Sequence, residues 1–283
     1  MFERISRSWE LVKASYAVLR ADKELIVFPL VSTIATLIVI AVFAIPALLA
    51  GVFDNMADNG NPGVAGYVIT FLFYLVMYFV AIFANTALVG AAMIRLRGGD
   101  PTLEDGLRIA MDHVGQIFGY AIIAATVGMI LRAIQERFGW AGQLVAWLGG
   151  MAWNLATYLV VPVLVVENIG PIEAIQRSTA LLKKTWGEQI VGNFSIGLVF
   201  GLLTLAAALL IGVPLIFLAV ATGSVVVIVL AVIIVVMVIA AISLVGNTLN
   251  MIYVAAVYRY AVEGEVNPDY FPPGLIQGAF RQK

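Results

Sequence analysis

The chain has 283 residues, 62% of them hydrophobic and only 12% charged, with mean hydropathy +1.02 and net charge −1. Soluble domains carry about twice that share of charge, so lipid is the expected solvent for most of the chain, and the balanced charge excludes a basic nucleic-acid footprint. With no cysteine and a single histidine, His113, disulfides, thiolate metal sites and cysteine nucleophiles are excluded, and neither a metal nor a cofactor is expected.

The first 24 residues read as an amphipathic helix. Phe2, Ile5, Trp9, Val12, Tyr16 and Leu19 recur at three- and four-residue steps, which is one face of a helix. Arg4, Arg7, Glu10, Lys13 and Arg20 lie away from it. The apolar run that begins near residue 25 is too long for a signal-peptide core and is expected to stay as the first span. A span needs about 20 apolar residues, and six segments qualify: about 25–50, 64–94, 115–131, 140–166, 189–220 and 224–258. The third is the weakest, ending in Arg132, Glu136 and Arg137. The second and sixth exceed a bilayer's thickness and are expected to tilt or to protrude. Pro46, Pro162 and Pro214 fall inside spans and predict kinks. The glycine pairs Gly115/Gly119 and Gly197/Gly201 predict close helix packing.

Between the hairpins, two further segments read as amphipathic helices. One opens at Asp100-Pro101, read as a cap followed by a proline at the first helical position, with Leu103, Leu107, Met111 and Val114 on one stripe. The other opens at Gly170-Pro171, with Ile172, Ile175, Thr179, Leu182 and Trp186. Helices of this kind are expected in the membrane interface. All 16 basic residues except Arg132 and Arg137 fall on one side of the six-span layout. Basic excess marks the cytoplasmic face, so both termini are expected in the cytoplasm, and the outer loop Asp54–Pro62 has acids and no base. The fold class is therefore all-α: a polytopic transmembrane bundle of about six helices with cytoplasmic interfacial helices. A single membrane domain, 1–283, is expected, with pseudo-threefold units at about 2–95, 100–167 and 170–260 and a tail from 261. The Val114-Gly115-Gln116-Ile117 and Trp186-Gly187-Glu188-Gln189-Ile190 segments recur in layout. Prolines at 268, 272 and 273 stop the last helix, and Leu275, Ile276 and Phe280 are expected to tuck in.

The returning helix of each hairpin carries a polar pair: Asn85 with Thr86, Asn154 with Thr157, and Asn247 with Thr248. The asparagines precede Arg95, Glu167 and Arg259 by 10, 13 and 12 residues, which places them near mid-membrane. Two uses fit. They hydrogen-bond between helices, or they form a polar collar lining a central site. No carboxylate or lysine lies deep in a span, so proton coupling lacks an obvious carrier. Phosphate loops and Ser/His or HExxH patterns are absent. His113 reads as an interfacial residue.

The run Ser8-Trp9-Glu10-Leu11-Val12-Lys13-Ala14-Ser15, with Asp22-Lys23-Glu24-Leu25 and Phe28-Pro29-Leu30, resembles the opening of an uncharacterised prokaryotic family of six-span membrane proteins, a domain of unknown function. Arg177-Ser178 and Lys183-Lys184-Thr185-Trp186-Gly187-Glu188 resemble a second hallmark of that family. More loosely, the chain is similar to the membrane domain of glycerophosphodiester phosphodiesterases, whose catalytic barrel has no counterpart here. The resemblance implies a membrane domain without chemistry of its own, in a prokaryotic inner membrane. The leading expectation is a non-enzymatic membrane protein that interacts with lipids or serves as an accessory or scaffold subunit, with membrane lipids, a membrane protein or a second copy as partners. The alternative is a permease or transporter of lipids or small molecules with a mid-membrane polar site. An intramembrane enzyme ranks below both, because acid–base work needs positioned titratable groups.

Overall fold

The structure, a computed structural model, describes residues 2–49, 63–186, 195–264, 267–272 and 274–276. The outer loop Asp54–Pro62, residues 187–190 and Phe280 lie outside the described residues. The described residues form helices without strands: α1 (Phe2–Ala21), α2 (Val27–Leu49), α3 (Gly63–Leu96), α4 (Leu103–Asp112), α5 (Val114–Arg137), α6 (Gly139–Ala156), α7 (Val160–Glu167), α8 (Pro171–Trp186), α9 (Ser195–Ala207), α10 (Val213–Ala221) and α11 (Val225–Glu263). Six stretches are long and apolar enough to cross a membrane: Lys23–Pro46, Gly66–Leu96, Val114–Arg137, Gly139–Glu167, Val199–Ala221 and Val225–Glu263. The protein is an all-α, multi-pass membrane protein. The third span continues as helix through its charged end, where Arg132 Nε bonds Glu136 Oε1 one turn on (2.7 Å) and Arg132 Nη1 donates to the Tyr74 hydroxyl (2.9 Å).

The helices form two compact units, Val27–Ala91 with Pro101–Thr185, and Met1–Ile26 with Ala92–Asp100 and Trp186–Lys283. In the first of these, α4 packs on the hairpin that precedes it. A Cβ on Gly106 would collide with the Phe28 ring and come within 2.8 Å of the Ala87 carbonyl oxygen, and one on Gly90 would come within 2.8 Å of Ile109. These glycines are where the backbones approach. The predicted pairs are not. Among the described residues, a Cβ at Gly115, Gly197 or Gly201 would meet nothing within 4 Å, and at Gly119 it would come 3.1 Å from Pro171. The α4 cap also differs from the sequence reading. Thr102, not Asp100, is the N-cap: Asp105 N–H donates to Thr102 Oγ1 (3.2 Å) and Thr102 N–H to Asp105 Oδ2 (3.0 Å). This reciprocal box satisfies two orphan donors, and the bonds from Thr102 hold the Asp105 carboxyl below the usual carboxylate range. Asp100 instead pairs with Arg95. The same unit holds α8 on its own preceding hairpin, α5–α7.

In the other unit α1 packs against α9 and α11, and Phe200 of α9 lies against Gly246 of α11, where a Cβ would be 2.8 Å from the ring. Each amphipathic helix thus packs on a hairpin in cyclic order. α4 takes the first, α8 the second and α1 the third.

The buried stripes of these helices differ from the predicted ones. On α1 the buried residues are Ser8, Leu11, Val12, Ala14, Ser15, Val18 and Leu19, while Trp9 and Tyr16 are 47% and 54% exposed. On α4 Gly106 and Ala110 are buried and Leu107 and Met111 exposed. On α8 Ala174, Ser178, Leu181 and Leu182 are buried and Ile172 is 63% exposed. Small side chains let the helix approach the hairpin closely, so they face protein. Of the predicted stripes, Trp9, Tyr16, Leu107, Met111, Val114 and Ile172 face outward, whereas Val12, Leu19 and Leu182 are buried as expected.

A charge cluster at the basic end ties together three chain segments of this second unit. Arg95 Nη2 lies 3.5 Å from Asp22 Oδ2, Arg97 Nη2 lies 3.4 Å from Glu263 Oε1, and Arg259 bonds both Glu263 (Nη2 to Oε2, 2.8 Å) and the Leu96 carbonyl. The Asp22 side chain is only 5% exposed. Burial pushes its carboxyl above the ordinary value of 3.8, against the opposing pull of Arg95 and of the Glu24 N–H. In the tail, Ile276 is buried as expected and Leu275 is half-buried, and Phe271, which is not among the residues expected to tuck in, is buried as well.

Gly106→Ala is expected to destabilise the protein by about 1–3 kcal/mol, the range for overpacking, because a backbone carbonyl cannot swing aside. Gly115→Ala should be neutral or slightly stabilising; paired thermal unfolding in detergent measures both. Because the folded protein holds the Asp22 proton more tightly than the unfolded chain, the folded state binds more protons above 3.8. Stability therefore falls as pH rises from about 3.8 through the raised folded value and is level beyond it. Asp22→Asn should flatten that part of the melting-temperature profile.

Candidate functional site

The fourth span does not run as one helix. α6 ends at Ala156, residues 157–159 form turns, and α7 resumes at Val160. Pro162 accounts for the place. It sits in the first turn of α7, where a missing N–H is tolerated, but its ring would clash with the carbonyl of Tyr158 in a continuous helix. The break thus falls one turn before the proline. Pro214 acts similarly in the fifth span, where a π-turn over Ala208–Gly212 precedes it, with Val213 N–H bonded to Ala208 O. Pro46 remains inside α2.

An interrupted helix exposes backbone donors and acceptors that hydrocarbon cannot satisfy. α8 supplies both partners. Leu159 N–H donates to Ser178 Oγ (3.0 Å), and Thr179 Oγ1 reaches the Ala156 carbonyl (3.4 Å) while bonding Ile175 O (2.9 Å). Ser178 is fully buried. Two adjacent side chains of one amphipathic helix therefore close the two sides of the break. The outer end of α8 is fixed by Arg177, whose Nε bonds both Glu167 carboxylate oxygens (2.9 Å each), and Gln116 Nε2 donates to Asn168 Oδ1 (2.9 Å). Asn168 takes the left-handed conformation at the end of α7, which an asparagine tolerates.

On the α5 side, the Tyr120 ring stacks on Trp153 (centroids 6.4 Å apart, 25° between planes). Thr157 Oγ1 donates to the Trp153 carbonyl (2.8 Å), and its oxygen is left to accept from its partner, the Tyr120 hydroxyl. Towards the other end of the span, Tyr78 presents its hydroxyl to Gly128, where a Cβ would lie 3.2 Å from it. Hydroxyls, an indole and backbone groups make up this site.

The predicted collar residues fall in both units. Asn85, Thr86, Asn154 and Thr157 belong to one unit, and Asn247 and Thr248 to the other. Asn85 and Asn247 are half-buried and each has a partner. Thr248 is buried and donates to Leu244 O (2.8 Å), whereas the buried Thr86 hydroxyl has no partner among the described residues. Thr157 joins the interrupted span; Asn154 is exposed on α6. His113 sits between α4 and α5, its Nδ1 2.7 Å from Ile109 O. The sequence reading missed the Leu159–Ser178 bond. Its signals were Pro162 inside a span and the Arg177-Ser178 pair.

The model of one protein family, described as "Family of unknown function (DUF6159)", matches residues 64–268. No curated protein and no solved structure matches the chain.

Ser178→Ala should destabilise the protein by about 1–3 kcal/mol, the cost of an unsatisfied buried donor, since Leu159 N–H would lose its acceptor. The control Thr126→Val removes an exposed hydroxyl that bonds only its own helix, at Ile122 O, and should change stability by less than about 0.5 kcal/mol. Thermal unfolding of both variants in one detergent makes the comparison.

Proposed function

Since the chain belongs to this family of unknown function, its own geometry carries the functional reading, and we propose that it is a non-enzymatic integral membrane protein that interacts with lipid through its amphipathic helices. The observation that carries this is the two-sidedness of α1, α4 and α8. Each buries one face, small residues included, in protein and leaves other apolar side chains (Trp9 and Tyr16, Leu107 and Met111, Ile172) exposed among cations. On α1, Trp9, Lys13, Tyr16 and Arg20 share one exposed face. Met111 stands near Arg108 on α4, and Ile172 on α8 precedes the exposed Arg177, Lys183 and Lys184. Aromatic bodies with polar tips and cations on aliphatic stems suit the headgroup boundary. In a prokaryotic inner membrane with both termini in the cytoplasm, these faces meet the inner leaflet. The resemblance to a prokaryotic six-span family, and to the membrane domain of glycerophosphodiester phosphodiesterases, fits a lipid-facing role.

A second reading, transport of a lipid or small molecule, is favoured by the interruptions in the fourth and fifth spans. Discontinuous helices are where many transporters hold substrate, and the Tyr120–Thr157 pair lies beside one of them. An accessory role in a larger membrane complex is the third arrangement compatible with the outward faces.

Native mass spectrometry of the protein released from its own membrane, with no lipid added, separates these. The expected result is a discrete lipid retained at fixed stoichiometry and reduced several-fold when Trp9, Tyr16 and Ile172 are replaced by serine. Loss of the adduct in Tyr120→Phe/Thr157→Val instead, with flux in proteoliposomes, would move the reading to transport. Release with another protein at fixed ratio and no lipid would overturn it in favour of an accessory subunit.

A further inference from the structure

One polar side chain of the spans is turned away from the protein. Asn154 lies within the span Gly139–Glu167, is exposed, and has no hydrogen-bond partner among the described residues. Counting back along α6 by four, three and four residues gives Gly150, Trp147 and Gln143, which share its face. Gln143 is exposed, Trp147 is 60% exposed, and a Cβ added at Gly150 would meet nothing within 4 Å. The adjacent Gly149 points the other way. A Cβ there would come within 2.8 Å of Leu131, so Gly149 serves the α5–α6 contact, whereas Gly150 meets no other described residue. Hydrocarbon offers an amide neither donor nor acceptor, and an amide left so is costly.

We propose that this face docks a second copy of the same chain, α6 against α6, about a two-fold axis along the membrane normal. The choice of occupant follows from the chemistry of the face. A carboxamide both donates and accepts, so an asparagine placed opposite itself is satisfied without any other residue type, as an isologous contact requires. Both copies insert the same way round, which makes the helices parallel and sets Asn154 level with its counterpart. The face from Gln143 to Asn154 carries no charge, so a partner bearing a carboxylate or a cation would gain nothing there. The open backbone at Gly150 lets two helices approach closely, with Trp147 flanking the crossing.

The chain has no cysteine, so single cysteines report directly on the full-length protein in native membranes. Gly150→Cys and Trp147→Cys are expected to cross-link two copies on mild oxidation, and Val145→Cys, exposed on the opposite side of α6, is not. In lipid nanodiscs or detergent, Asn154→Leu and Gly150→Leu should each weaken the dimer about tenfold, the scale of a pair of interhelical hydrogen bonds in a membrane, with an unchanged melting temperature for the monomer. Asn154→Gln, which keeps the amide, should retain most of the association. A monomeric wild-type protein in lipid, equal cross-linking from Val145→Cys, a dimer indifferent to both leucine variants, or a different protein captured at Gly150→Cys would each overturn the proposal.

Discussion

A backbone in hydrocarbon has no solvent to fall back on, so every N–H and C=O must find its partner inside the protein. The fourth span breaks that rule where Pro162 prevents a continuous helix, and the architecture around it answers the break. Ser178 and Thr179 sit next to each other on α8, one taking the freed N–H of Leu159 and the other reaching the carbonyl of Ala156. For those short side chains to reach the span backbone, the face of α8 that carries them must pack closely. Ala174, Ser178, Leu181 and Leu182 at that face are all buried. Satisfying the break therefore dictates which side of α8 faces protein, and so which side is left for the surroundings.

The same division governs the other two amphipathic helices. Gly106 on α4 leaves no room for a methyl against Ala87 and Phe28, and Ser15 and Ala14 on α1 are buried where Trp9 and Tyr16 are not. Short side chains bring helix axes together and gain dispersion contacts along the whole interface. Large ones keep neighbours apart but cover lipid well. Each of the three amphipathic helices packs on a hairpin of its own unit. The helix at the start of the chain takes the last hairpin, α9 and α11. An N-terminal helix held in this way is bound to chain some 200 residues away, a contact of high loop-closure cost that is formed late if the segments associate in order of synthesis.

Much of this was legible in the residues and some was not, for identifiable reasons. The six spans follow from length and hydropathy; the expected start of the fifth lies outside the described residues, the sixth runs five residues beyond its expected end at 258, and the third continues through its charged end. There, Arg132 neutralises its cost through Glu136 one turn on and the Tyr74 hydroxyl, partners that a hydropathy window does not see. The amphipathic stripes were read one position away from the buried face, since a hydrophobicity scale ranks Trp9 and Leu107 above Ser15 and Gly106. In a membrane that ranking is misleading: lipid and protein are both apolar, and size rather than hydrophobicity decides which face meets which. The small-residue pairs failed for a related reason. Spacing of four shows that two glycines share a face, but not whether another helix lies over it, and at Gly115, Gly197 and Gly201 no described residue comes within 4 Å of an added Cβ.

The polar residues of the spans show the same limit from the other side. Distance along a helix to its charged end is readable from sequence, and by that count Asn85, Asn154 and Asn247 are expected at similar depth. Direction is not, because it depends on helix rotation, which packing sets. Thr157 and Asn154 stand three residues apart in the sequence, yet one bonds within the interrupted span and the other faces out. A collar needs both depth and direction, whereas a contact between copies needs one exposed amide opposite an open backbone. Asn154 beside Gly150 meets the second requirement, and that distinction between depth and direction is what separates a polar residue that serves the fold from one that serves assembly.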